Sequence, residues 1–181
     1  MGDIIRELKD YVDTTPREQK QKDWEELEKY AHTRPVNCIA LMVGRFQPFT
    51  VTDLENLRRF KEDTGNPVML MYIRAHQGYA NTPFKSATVK KMLEKVKEAY
   101  PDLVSMVAWS DKWDATEVFD VLAKHGVCSD CAIESDHNSV KAAITRLALT
   151  MDARNEFERC VPECIHDMYD ELRTEIKTDR K

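Results

Sequence analysis

The 181 residues, 42% of them apolar, are enough for one good core. With 27 basic against 32 acidic side chains the formal charge is −5, which argues against a general nucleic-acid binder and leaves room for a local basic site. No run reaches the roughly 18 apolar residues that span a bilayer, and residues 1–13 carry charge through their middle, unlike a signal peptide, so a cytoplasmic, membrane-free protein is expected.

Residues 1–35 read as an N-terminal helical extension. Ile4, Ile5, Leu8, Tyr11 and Val12 fall on one face of a short helix. Thr15-Pro16-Arg17-Glu18 is a capping box with proline at the first helical position. A second helix then runs to about Ala31, with Trp24, Leu27, Tyr30 and Ala31 as its stripe. These faces either pack back on the rest of the chain or dock on a protein partner or a second copy. Arg34-Pro35 marks the boundary with an α/β domain, 36–181.

That domain opens with a buried strand, Cys38 to Val43, which turns through Gly44 into a helix beginning near Thr52 and carrying Leu54, Leu57 and Phe60. A strand that turns through glycine into a helix N-terminus presents free N–H groups and a positive dipole end, a combination suited to phosphate. Further strands are expected over 67–73, 103–109 and 131–136, with helices over 86–100 and 116–125. Strands alternating with helices predict a Rossmann-like, doubly wound parallel sheet of about five strands. Trp109 and Trp113 bracket the C-terminal end of the third strand, where an aromatic either stacks on a bound base or closes the core. Lys85, Lys90 and Lys91 read as a solvated helix face.

Five cysteines read as reduced thiols. Cys128 with Cys131 and Cys160 with Cys164 form two pairs that are able to build a four-thiolate zinc site. The simpler reading takes them as small apolar residues.

Gly44-Arg45-Phe46-Gln47-Pro48-Phe49, followed by Thr50, Val51, Thr52 and Asp53, resembles the first loop of the nucleotidylyltransferase superfamily, in particular the nicotinamide-nucleotide adenylyltransferases, whose loop reads GRFQPFHxGH. Ala75 to Phe84 is similar to that family's GSAQxSxxxxNPF stretch. Val89 stands where the family has an arginine. Ala132 to Asp136 is similar to a strand ending in GxD, with Glu134 for the glycine. Val140 to Arg146 falls on the helix start ISxTxxR, where Lys141 and Ala143 replace the serine and threonine and Arg146 is kept. The closing segments, 157–162 and 165–176, are similar to phage-encoded members, some of which carry TxGH. For a phage protein the location would be the host cytoplasm or the virion.

The resemblance implies a nucleotide site made from Gly44, Arg45, Phe46, Gln47, Thr50, Asp53 and Arg146. Arg45 and Arg146 would clamp anions, and Mg²⁺ would offset charge if the protein is active. Active members join a nucleotide to a phosphorylated acceptor and release pyrophosphate, mostly by positioning and electrostatic stabilisation. With both histidines, the serine and the threonine replaced, the expectation is a catalytically degenerate protein, without a required cofactor, serving as a binding or assembly subunit with residual nucleotide binding. The alternative is an active adenylyltransferase. Asp53 would set a carboxylate against the phosphates at a cost of roughly 1 to 4 kcal/mol. Phe46, Pro48 and Phe49 are also suited to turning the loop and filling the core beneath it.

Overall fold

The computed structural model describes residues 14–23, 25, 38–74, 81–111 and 115–178. The chain divides into two units, Met1–Val36 and Asn37–Lys181. In the first, residues 17–23 are helical, and Pro16 O accepts from the Gln19 and Lys20 N–H groups, as proline at a helix start favours. The expected faces of Ile4 to Val12 and of Trp24 to Ala31 lie outside the described residues, as does Trp113.

The second unit is α/β. Strands β1 (Cys38–Gly44), β2 (Val68–Ile73), β3 (Val104–Ser110) and β4 (Cys128–Glu134) alternate with helices α1 (Val51–Thr64), α2 (Ser86–Ala99) and α3 (Ala115–Lys124). They form a parallel sheet in the order β3-β2-β1-β4, four strands among the described residues. Then follow α4 (Val140–Met151), α5 (Arg154–Glu158), a 3₁₀ turn (Glu163–Met168) and α6 (Tyr169–Thr178). Among the described residues no helix is long and apolar enough to cross a membrane.

Why the sheet is parallel follows from the strands. All six residues of β2 are buried, with no alternation, because helices cover both faces of a central strand. One face of the sheet, Ala40, Met42, Leu70 and Tyr72, packs with α1, α2 and the C-terminal helices. Ile39, Leu41, Val43, Met69 and Met71 turn to the other face and meet Val118 and Leu122 of α3. The chain builds outward from β1 through β2 to β3 and then returns to β4 beside β1. Right-handed crossovers then put α3 on the face opposite α1 and α2. β4 begins three residues earlier than its apolar run suggests, since Cys128 already pairs with Cys38 ahead of a bulge.

The order reverses between β1 and β4. In open parallel sheets the crevice at the C-terminal ends of the strands beside such a reversal is where ligands bind. Gly44, Ser135 and Asp136 stand there.

Candidate functional site

The β1–α1 loop is held from three sides. A Cβ built on Gly44 would come within 2.7 Å of the Ser135 Cβ, so the glycine is required by the close approach of the residue that follows β4, Ser135, whose N–H donates to Val43 O at 2.7 Å. Phe46 adopts a left-handed backbone (φ 45°) and Gln47-Pro48 is cis. The Phe46 and Phe49 rings lie 5.6 Å apart at their centroids, both buried in the main core, as the sequence suggested. The buried Gln47 amide pairs with the Phe84 backbone, accepting from its N–H at 2.9 Å and donating to its carbonyl at 3.3 Å.

Asp53 does not face an open phosphate cradle. Its carboxylate is turned inward, where Oδ2 accepts from the Thr50 N–H at 2.7 Å and from the Thr50 hydroxyl at 2.8 Å, while Oδ1 accepts from the Ser135 hydroxyl at 2.6 Å. In return, the Thr50 hydroxyl oxygen accepts from the Asp53 N–H at 3.3 Å. This is a capping box on α1, with Thr50 as N-cap and Asp53 as its third residue. The Val51 N–H donates to Cys160 O at 3.0 Å. The Thr50, Val51 and Asp53 N–H groups of this helix N-terminus are therefore spent inside the protein. Burial pushes the Asp53 carboxyl above its ordinary range, partly offset by the Ser135 and Thr50 hydrogen bonds and reinforced by Asp136.

Of the seven residues expected to hold a nucleotide, Gly44, Phe46, Gln47, Thr50 and Asp53 are thus interior or consumed in holding the loop. The two cations stand differently. Arg45 is exposed at the end of β1. Arg146, on α4, is half-buried; one terminal nitrogen, Nη1, donates to Gln47 O at 2.7 Å and to His137 O at 2.9 Å, and burial lowers its pKa. His137 is the residue that sequence reasoning missed. Burial pulls its pKa down, and Arg45 and Arg146 pull the same way, against Asp136 and Glu134. A loop histidine with no ligand motif around it gives no local signal; only the fold brings it to the two arginines. α4 itself starts where the Ser139 hydroxyl accepts from the Ala142 N–H at 3.2 Å.

A second feature lies at the ends of β2 and β3, a cleft of about 370 Å³. Trp109 and Lys90 form one wall, with the Lys90 ammonium 3.9 Å from the centre of the indole. Lys90 is therefore more than a solvated charge, and Trp109, 52% exposed, does not close the core. Arg74 and Asp111 pair at 3.4 Å beside it, and the Tyr72 hydroxyl lies 3.0 Å from the Ser86 hydroxyl. With Arg74 balanced by Asp111, the net positive charge of the rim is that of Lys90, and beside the half-exposed indole it suits a flat ligand with one anionic group.

Among the described residues zinc finds no such arrangement. Cys128 and Cys131 lie on β4, Cys160 is buried after α5, and Cys164 and Cys131 pack against the main core. Among the described residues no group of three or more His, Cys, Asp or Glu is placed to hold a metal ion.

Comparison with known proteins finds no matching family model and no matching curated protein.

Proposed function

We propose that this chain is a nucleotidylyltransferase-fold protein that has lost nucleotidyl transfer and acts as a binding or assembly subunit. The observation that carries the reading is the closed arrangement of Thr50, Asp53 and Ser135. At the positions aligned with the family's phosphate-facing histidines, side chains bond to one another instead of pointing outward. Catalysis of this kind depends on donors aimed at developing charge, each worth about 10²- to 10³-fold in rate. Here the groups at Thr50 and Asp53 are consumed by the fold.

Residual ligand binding is favoured by a separate observation, the Trp109–Lys90 wall with Arg74 beside it. That wall fits a nucleotide or another planar anion, held without being activated. The protein partner or second copy belongs to the same reading, with the amphipathic residues of 1–35 as candidate contacts on sequence grounds.

The test is direct. Purified protein given ATP or CTP, Mg²⁺ and nicotinamide mononucleotide is expected to release pyrophosphate no faster than a blank. Turnover near the enzyme median of about 10 s⁻¹ overturns the reading in favour of an active transferase.

A further inference from the structure

Lys90 differs from its neighbours on α2. Lys91, Lys95 and Lys97 each end on a carboxylate, Glu171 at 2.5 Å, Asp167 at 2.6 Å and Glu94 at 3.6 Å. Lys90 ends on a ring, its ammonium 3.9 Å from the centre of the Trp109 indole at the wall of the cleft. The sheet register brings the two together, because Trp109 pairs with Tyr72 and shares the sheet face that α2 covers. A π face holds a cation in place without cancelling its charge, so Lys90 keeps its capacity to bind an anion.

The other walls set how much negative charge the cleft accepts. Arg74 pairs with Asp111 at 3.4 Å, and the Asp111 N–H donates to Glu117 Oε1 at 2.9 Å, so that end brings two carboxylates against one guanidinium. A ligand with two negative charges would set the second against them. A ligand with one meets Lys90 alone. The Tyr72 and Ser86 hydroxyls lie 3.0 Å apart; one O–H donates to the other, and the pair keeps one O–H for an acceptor. With the ammonium this makes two donor groups, matched to the two oxygens of a carboxylate.

Size and spacing narrow the ligand further. A cleft of about 370 Å³ stands at the small end of ligand pockets, roughly 300 to 1,000 Å³. Because the ammonium is 3.9 Å from the indole centre, the anionic group has to sit directly on the ring that lies against Trp109. A carboxylate on an aromatic ring meets this condition, whereas a nucleotide with its base on the indole carries its phosphate a ribose away. We propose that this cleft binds an aromatic carboxylate, with the ring against the exposed part of Trp109 and the carboxylate on Lys90 and the Tyr72–Ser86 hydroxyl pair. The inference rests on the binding role given above to the Trp109–Lys90 wall and narrows it to one class of ligand.

Calorimetric titration of the full chain with benzoate tests it, with benzamide as the uncharged analogue and adenosine monophosphate as the nucleotide. Benzoate is expected to bind about tenfold more tightly than benzamide, the scale of one hydrogen bond to a charged group. Lys90→Gln should abolish that preference and leave the monophosphate nearly unchanged. Trp109→Ala should weaken both benzoate and the monophosphate, by about tenfold. If Trp109→Ala does not fold, the comparison of benzoate with benzamide in the wild type and in Lys90→Gln decides alone. Equal affinity for benzoate and benzamide, or a preference that survives Lys90→Gln, overturns the proposal. When the monophosphate still binds through Trp109 in that case, the wall keeps its binding role and only the carboxylate assignment fails. A chain that binds none of the three overturns both, and pyrophosphate release bears on nucleotidyl transfer alone.

Discussion

The Ser135 hydroxyl donates to Asp53 Oδ1 at 2.6 Å across 82 residues of sequence, joining the end of β4 to the first turn of α1. That bond decides what the crevice at the sheet's reversal can offer a ligand, because it fixes the carboxylate that also caps the helix.

The first prediction concerns pH. Burial raises the folded-state pKa of Asp53 above the ordinary 3.8, so in the window from 3.8 up to the folded value the native state binds more protons than the unfolded one. Stability from this group is fully present below 3.8 and is lost as pH rises through the folded pKa. Asp53→Asn removes the titration. Unfolding free energies of the two proteins, measured from neutral pH downward, should diverge in favour of the wild type as the solution becomes acidic. A constant difference would show that Asp53 titrates as an ordinary carboxylate.

Gly44→Ala should destabilise the fold by roughly 1 to 3 kcal/mol, the usual cost of forcing atoms into a filled space. The added methyl meets the Ser135 Cβ at 2.7 Å. Ser135→Gly removes that obstacle, so in a double-mutant cycle by urea denaturation the two changes should be less than additive. Full additivity would mean that the glycine answers to something other than β4.

Glu175 on α6 caps a helix that cannot cap itself. Its carboxylate accepts from the Lys85 N–H at 2.9 Å and from the Thr88 hydroxyl at 2.7 Å, and α2 has no side-chain cap of its own. Glu175→Ala should cost roughly 0.5 to 2 kcal/mol, as loss of an N-cap does. Glu175→Gln, which keeps one acceptor, should fall between the two on the same denaturation curve.

For the cleft, titration calorimetry with a mononucleotide should give a Kd that weakens roughly tenfold in Trp109→Ala, the scale of one lost stacking contact. Thermal stability should hardly change, since the ring stands half in solvent. Equal binding by both proteins would move the ligand away from β3.

Much of the architecture was legible because its causes are local. Val68 to Ile73 is an unbroken apolar run because that strand is covered on both faces, and Thr50 to Asp53 fits the Thr-x-x-Asp pattern of a capping box. Sequence reasoning sees the same four residues through their likeness to a phosphate loop and sets the helix start near Thr52, one residue after Val51. The start of β4 was obscured by Ser129 and Asp130, which interrupt its apolar run in the sequence. Ser135, His137 and the Lys90–Trp109 contact carry no local signal at all. Each is a meeting of segments distant in sequence, and only the packing of the sheet brings them together.

Arg146 ties the carbonyl of Gln47 to that of His137, and Gln47 in turn clasps Phe84. Three segments that border the crevice are thus fastened to one another before any visitor arrives. A ligand that meets only these segments gains little from their closure and loses little to their ordering. Its arrival should follow simple second-order kinetics, with an observed rate that climbs in proportion to concentration and shows no plateau from a slow rearrangement.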